Sequence, residues 1–188
     1  YFQPLNAIAE QQLEQVWREA SGNRPAVPSS LTVLGRALSV RSVLITSRPQ
    51  TSVVWFDFMA LCDGPRSQLD YIELSERFQT ILVSHVPVMG GQVNTRKVAI
   101  GTEDSGAERN SIGHLDRSVQ QGHLDDPARR FIALVDELYD RHTRLLVSAA
   151  APIRELYLGG RVSFEFQRTE SRLLEMQTEG YLTQLPAC

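Results

Sequence analysis

Apolar residues recur along this chain at two different spacings, and the switches between them divide it into elements. Ala9, Leu13, Val16, Trp17 and Ala20 share one helical stripe behind Asn6, whose side chain can cap free N–H groups. The pattern predicts a helix to about Ala20, broken by the Gly- and Pro-containing stretch SGNRPAVPSS (21–30). Three β-like runs follow: Leu31–Leu34 continuing through Leu38–Arg41, then Val43–Thr46, then Val53–Phe58. In the third, Val54, Phe56 and Phe58 point one way while Trp55 and Asp57 point the other. Arg48-Pro49-Gln50 reads as a turn joining the second run to the third in antiparallel fashion.

Further on, Ser67-x-x-Asp70 has the spacing of a capping box and opens a helix through about Phe78, with Leu69, Ile72, Leu74 and Phe78 apolar. TILVSHVP (80–87) is a continuously apolar strand stopped by Pro87. Asp126-Pro127 starts a helix whose stripe is Phe131, Leu134, Val135, Leu138 and His142. RLLVSAA (144–150) reads as a buried strand, followed by a short helix around Arg154–Leu158 and a Gly159-Gly160 turn into Val162–Phe166. A last helix is expected to begin beyond Thr169 and end near Gly180. Strand and helix alternate from residue 53 to 150, which calls for parallel pairing with crossover helices. The expectation is an α/β fold: a mixed, mainly parallel sheet with packed helices and antiparallel N-terminal strands.

Residues 90–126 have no dominant period and exceed ordinary loop length, so they read as a mobile insertion containing a weak helix at 108–121. Within them Gly113-His114-Leu115-Asp116 recurs as Gly122-His123-Leu124-Asp125. His114 and His123 with their aspartates are weak metal candidates. A chance repeat in a polar loop is the stronger reading.

At 188 residues and 42% hydrophobic composition, one domain with its own core is expected. A net charge of −3 with no basic excess gives no footprint for nucleic acid. Cys62 lies in an apolar run and Cys188 at the end, which suits a reducing compartment and a packed Cys62 better than a disulfide framework. No apolar run is long enough to span a bilayer. The chain opens at Tyr1, already inside folded-domain sequence, and reads as a fragment.

The search for chemistry finds no phosphate-binding loop: Gly91 followed by Arg96-Lys97-Val98 lacks the second glycine and the Ser/Thr that would hold magnesium. IALVDE (132–137) resembles a Walker B strand, but Pro127 and the Phe131/Leu134/Val135/Leu138 spacing place it on a helix. There Glu137 can pair with Arg141, and Asp136 and Asp140 lie opposite the apolar stripe. His85 and His142 show no evident Ser, Cys or Asp partner and read as structural. Four arginines stand out, because Arg129 and Arg130 fall in the opening turn of one expected helix and Arg168 and Arg172 bracket the start of another. A cation at a helix N-terminus opposes the dipole, so an anion should compensate it: a carboxylate of the fold, a partner protein or a phosphate. The local alternative pairs Arg172 with Glu175 and Arg168 with Glu165 or Glu170, and leaves Arg129 solvated.

WFDFMALCDGPRSQLDYIELSERFQTILVSHVPVM (55–89), ARRFIALVDELYDRHTRLLVSAAAPIRELY (128–157) and FEFQRTESRLLEMQTEGYL (164–182) resemble the C-terminal half of the ZapE cell-division ATPase family, related to the mitochondrial lactation-elevated ATPase. YFQPLNAIAEQQLEQVW (1–17) is similar to the segment following the nucleotide-binding core there, and only 90–126 falls outside the likeness. The resemblance implies a cytoplasmic AAA+ type P-loop ATPase that uses ATP and Mg and acts at the division site on the FtsZ ring or other cell-division proteins. The family's Walker A loop, Walker B pair and sensor have no counterpart in these residues, so no catalytic residue transfers, and the region is expected to be inactive alone, partnered with an upstream ATPase core. The family's R-x-x-x-R falls on Arg168 and Arg172, and its arginine pair on Arg129 and Arg130. The alternative from another class is a stand-alone, non-catalytic protein-interaction module.

Overall fold

The computed structural model describes residues 1–48, 51–91, 94–96, 119–121 and 124–183. Helix α1 (Ala7–Ser21) starts where expected, with Asn6 Oδ1 accepting the Ala9 N–H at 2.9 Å, and ends at Gly22 in the left-handed region, φ 70°. Its buried residues are Ala9, Leu13, Trp17 and Ser21; Val16 is half-buried and Ala20 exposed, so the stripe runs at successive fourth positions.

The single run expected over 31–41 is instead a hairpin. Strand β1 (Ser29–Val33) pairs antiparallel with β2 (Arg36–Val40), Val33 opposite Arg36. Leu34 and Gly35 make the turn with φ of 45° and 76°, the double left-handed conformation of a two-residue hairpin. Leucine in the first turn position hides that signal. Leu31, Val33, Leu38 and Val40 are the buried face.

Strands β3 (Ser42–Leu44) and β4 (Val53–Asp57) pair antiparallel, as the sequence predicts. Chain reversal after β4 uses a short helix α2 (Phe58–Cys62), which periodicity missed because it is little more than one turn. Helix α3 (Gln68–Arg77) carries the expected box: the Asp70 carboxylate accepts the Ser67 N–H at 2.6 Å. Leu69, expected on the apolar stripe, is 62% exposed, and Asp70 is fully buried in its stead, because its carboxylate also takes the Arg36 guanidinium. Strand β5 (Thr80–Val86) follows, then a short antiparallel pair, β6 (Asn94–Arg96) and β7 (Val119–Gln121). The expected helix over 108–121 thus ends in strand; its residues 108–118 lie outside those described, as do His114 and His123 and most of the expected insertion.

Helix α4 (Asp125–Asp140) leads to β8 (Arg144–Ala149), and the main sheet has the order β3-β4-β5-β8 with β4, β5 and β8 parallel. Beyond β8, Phe2 forms one parallel bridge with Ser148. A 3-10 turn (Ile153–Glu155) stands where a short helix was expected. The last helix begins before Thr169 rather than beyond it: α5 spans Ser163–Glu175 and takes in most of Val162–Phe166, followed by α6 (Glu179–Leu182). Val162, Phe166, Thr169, Leu173 and Met176 are all buried, and their steps of three and four make one continuous helical face.

The alternation in β4 separates two cores. Val54, Phe56 and Phe58 join Tyr71, Leu74, Phe131, Leu134 and Leu138 on the face covered by α2, α3, α4 and α5. Val53 and Trp55, with Leu82 and Leu146, meet Leu13 and Trp17 of α1 on the other face. The sheet is therefore buried on both sides, which explains its unbroken apolar strands. Each such side chain contributes roughly 1.5–3 kcal/mol, so the smaller core is enough to hold α1. Among the described residues no helix is long and apolar enough to cross a membrane.

Candidate functional site

The four arginines do not sit at helix starts. The first turn of α4 holds Asp125 and Asp126, so Arg129 and Arg130 belong to its second turn. Arg168 is near the middle of α5 and Arg172 in its last turn, where a cation suits the dipole. Thr169 does not cap that helix; it is fully buried within it and donates from Oγ1 to the Glu165 carbonyl at 3.4 Å. The misplacement traces to Val162–Phe166, where three apolar residues alternate with Ser163 and Glu165 although the segment opens α5.

Burial and partners separate the arginines. Arg129 Nη1 reaches Asp126 Oδ1 at 2.9 Å with both side chains more than half exposed. Arg130 Nη1 donates to the Cys62 carbonyl at 3.2 Å, placing a cation at the C-terminus of α2. Arg168 and Arg172, one turn apart on α5, both meet the Asp136 carboxylate on α4, and Arg172 Nη2 lies 3.4 Å from Asp140 Oδ1. The Arg172 guanidinium also stands over the Tyr139 ring, 5.0 Å from its centroid. Neither of the local pairings expected for Arg168 and Arg172 forms; the carboxylates come from the neighbouring helix. The Glu137–Arg141 pair does form, at 3.5 Å. Asp136 and Glu137 lie on a helix, so the Walker B likeness has no structural counterpart. Arg172 and Asp136 are about four-fifths buried, whereas Arg168 is 60% exposed and keeps further donors free for a ligand or partner.

A second polar cluster, which sequence reading missed, closes the carboxyl edge of the parallel strands. Asp57 ends β4, Ser84 and His85 lie near the end of β5, and Ser148 near the end of β8. The register slips between Val83 and Val86, and His85 takes the left-handed region at φ 61° while its N–H donates to Ser148 Oγ at 3.1 Å. A bulge of this kind re-aims a side chain. The His85 ring then has Nδ1 2.6 Å from Asp57 Oδ1 and Nε2 3.4 Å from Glu10 Oε1. Glu10 arrives from α1 and also accepts from Ser148 Oγ at 3.0 Å and from Arg41 Nη1 at 2.6 Å. Arg41 lies over the Trp55 ring, 4.4 Å from its centroid, and Trp55 Nε1 donates to Ser84 Oγ at 2.7 Å. The network fastens the first turn of α1 to the sheet. Its only signal in the sequence is polar residues at the ends of expected parallel strands, where ligands of open α/β sheets gather.

Cys62 is free and fully buried, and burial pushes its thiol well up, which makes it a packing residue. His142 lies just past α4 with its ring 5.6 Å from that of Tyr181. Tyr157 Oη donates to the buried Asp125 at 2.7 Å, and burial together with that bond pushes the phenol up to about 12. Among the described residues no group of three or more His, Cys, Asp or Glu is placed to hold a metal ion.

Comparison with known proteins shows which sequences this chain is similar to. The family model of the AFG1-like ATPase matches residues 1–100 and 117–185, leaving only 101–116 and the last three residues unmatched. The chain is 37% identical over 182 residues to the cell division protein ZapE of Escherichia coli K12, covering 97% of this chain and 39% of that protein. It is 26% identical over 209 aligned residues to lactation elevated protein 1 homolog B of Danio rerio, covering 94% of this chain and 33% of that one. The chain thus spans between a third and two fifths of the length of these relatives. No solved structure matches. With the family model aligned over most of its length, the chain belongs to the AFG1-like ATPase family.

Proposed function

We propose that this chain is the C-terminal α/β region of a ZapE-type cell-division ATPase of the AAA+ class. ATP is bound together with Mg and hydrolysed by a P-loop region outside these residues, and this region couples nucleotide state to partner binding. The full protein acts in the cytoplasm at the division site, on the FtsZ ring or other cell-division proteins. The observation that carries the reading is the 37% identity to the E. coli protein over 97% of the chain. The missing phosphate loop agrees with it, since nothing in the sequence supplies the row of backbone N–H groups and the Lys-Ser/Thr pair that cradle a triphosphate.

Within that reading the exposed face of α4 and α5 meets the ATPase core or a neighbouring subunit. Arg168 and Arg129 are its contacts, being 60% and 54% exposed. Arg172 acts beneath them by fixing α5 against α4. The test pairs two measurements. Full-length protein should turn over ATP, while calorimetric titration of the 188-residue chain with Mg-ATP should show no binding. Arg168→Ala should then lower full-length turnover or partner binding about tenfold, the scale of one lost charge-assisted contact. Full-length protein without ATP turnover would reject the ATPase reading in favour of a stand-alone interaction module. Unchanged turnover in Arg168→Ala would remove that arginine from the interface.

A further inference from the structure

The outer edge of β8 is one of the two edges of the main sheet. Its register with β5 and the Arg144 N–H bond to the Gln79 carbonyl turn Arg144 and Leu146 inward. By the alternation of a strand, Leu145, Val147 and Ala149 turn their N–H and C=O groups to the open side. Phe2 already occupies the far end of that side: its N–H donates to the Val147 carbonyl at 2.8 Å and its carbonyl accepts from Ala149 N–H at 3.0 Å. That is one parallel bridge, and it leaves the Val147 N–H and both backbone groups of Leu145 facing outward.

Beside these groups runs a groove of about 220 Å³ between the strand edge and the ends of α5 and α6, lined by Tyr1, Leu145, Met176, Tyr181 and Leu182 among others. Leu182 is 44% exposed within it. The first two residues already behave as a strand would, Tyr1 packing on the larger core and Phe2 on the smaller. A parallel strand continued backwards from Phe2 places alternate residues opposite Leu146 and Arg144, and turns every second side chain over the groove.

We propose that this edge takes a fifth strand, parallel to β8, supplied by the polypeptide that leads into Tyr1 in the full-length protein. The proposal rests on the reading of the chain as one region of a longer ATPase, since only 39% and 33% of the two relatives' lengths are covered by it. The occupant is singled out by continuity: the Phe2 bridge is an existing pairing, and its direction carries the preceding residues straight along the groove. The chemistry required is an extended segment of about six residues with apolar side chains at alternate positions. Docking would join the upstream region to this one through backbone hydrogen bonds.

Amide hydrogen exchange tests this in three proteins: the 188-residue chain, the same chain carrying the native residues immediately before Tyr1, and the full-length protein. The Leu145 amide, on a partly exposed residue, should exchange freely in the first and at least tenfold more slowly in the other two. Free exchange in the full-length protein overturns the proposal. Protection in the full-length protein but not in the extended chain overturns it too, because another element then covers the edge. Protection in the 188-residue chain that grows with concentration assigns the edge to a second copy and is equally fatal. ATP turnover of the full-length protein is scored separately, so a failed ATPase reading and an unpaired β8 edge are told apart.

Discussion

Arg129–Arg130 and Arg168–Arg172 look alike in the sequence, two arginine pairs on two helices, yet they do different work. Adjacent residues on a helix point about 100° apart, so Arg129 faces solvent and Asp126 while Arg130 turns to the end of α2. Residues four apart lie one above the other, so Arg168 and Arg172 converge on Asp136. Asp136 and Asp140 have the same spacing on α4, and the two helices meet as a ladder of opposite charges. Spacing, not arginine content, decides which pair holds helices together.

The sharpest way to break that comparison is Asp136→Ala. It strips both arginines of their shared carboxylate and leaves the largely buried Arg172 guanidinium short of a partner. The expected loss is about 2–3 kcal/mol, or roughly 4–12 °C in thermal unfolding for a chain of this size. A fall of less than a degree would mean that the ladder is solvated and that the two pairs are equivalent after all.

Arg172→Ala should cost somewhat less, about 1–2 kcal/mol. It removes the ion pairs and the stacking on Tyr139 but leaves Asp136 with Arg168. The cycle of Asp136→Ala, Arg172→Ala and the double variant sharpens the point, since a coupling energy near zero would deny the pairing. The structure moves Arg172 from an expected helix start, where it would oppose the dipole, to the last turn of α5, where it suits it.

Smallest of all should be Arg129→Ala, with a stability change within about 0.5 kcal/mol, as for other exposed i,i+3 pairs. Thermal unfolding in low and high salt checks it. A change as large as that of Arg172→Ala would show that the second turn of α4 carries structural weight its exposure conceals.

Much of the architecture was legible without coordinates. Asn6 and the Ser67–Asp70 box mark helix starts through side-chain chemistry that acts within four residues. The apolar strands at 53–57, 80–86 and 144–149 announce a sheet buried on both faces, and the helical patterns between them require parallel pairing. The hairpin at Leu34-Gly35 stayed hidden because leucine is an unfavourable residue for its left-handed turn position. The boundary of α5 stayed hidden because Val162, Phe164 and Phe166 alternate with Ser163 and Glu165 as a strand would, while Val162 and Phe166 alone fit a helical i, i+4 step and Phe164 turns to solvent.

The sequence by itself determined most of the longer elements, their order and the class of sheet, since capping, periodicity and crossover length are local properties of the chain. Only the tertiary structure decided which charges meet. Asp136 finds Arg168 32 residues away and Arg172 one turn beyond it, and His85 stands between an aspartate 28 residues before it and a glutamate of α1. No local pattern encodes those meetings. They follow from strand ends brought to one edge and from helices packed at one distance, and both are consequences of burying the two cores.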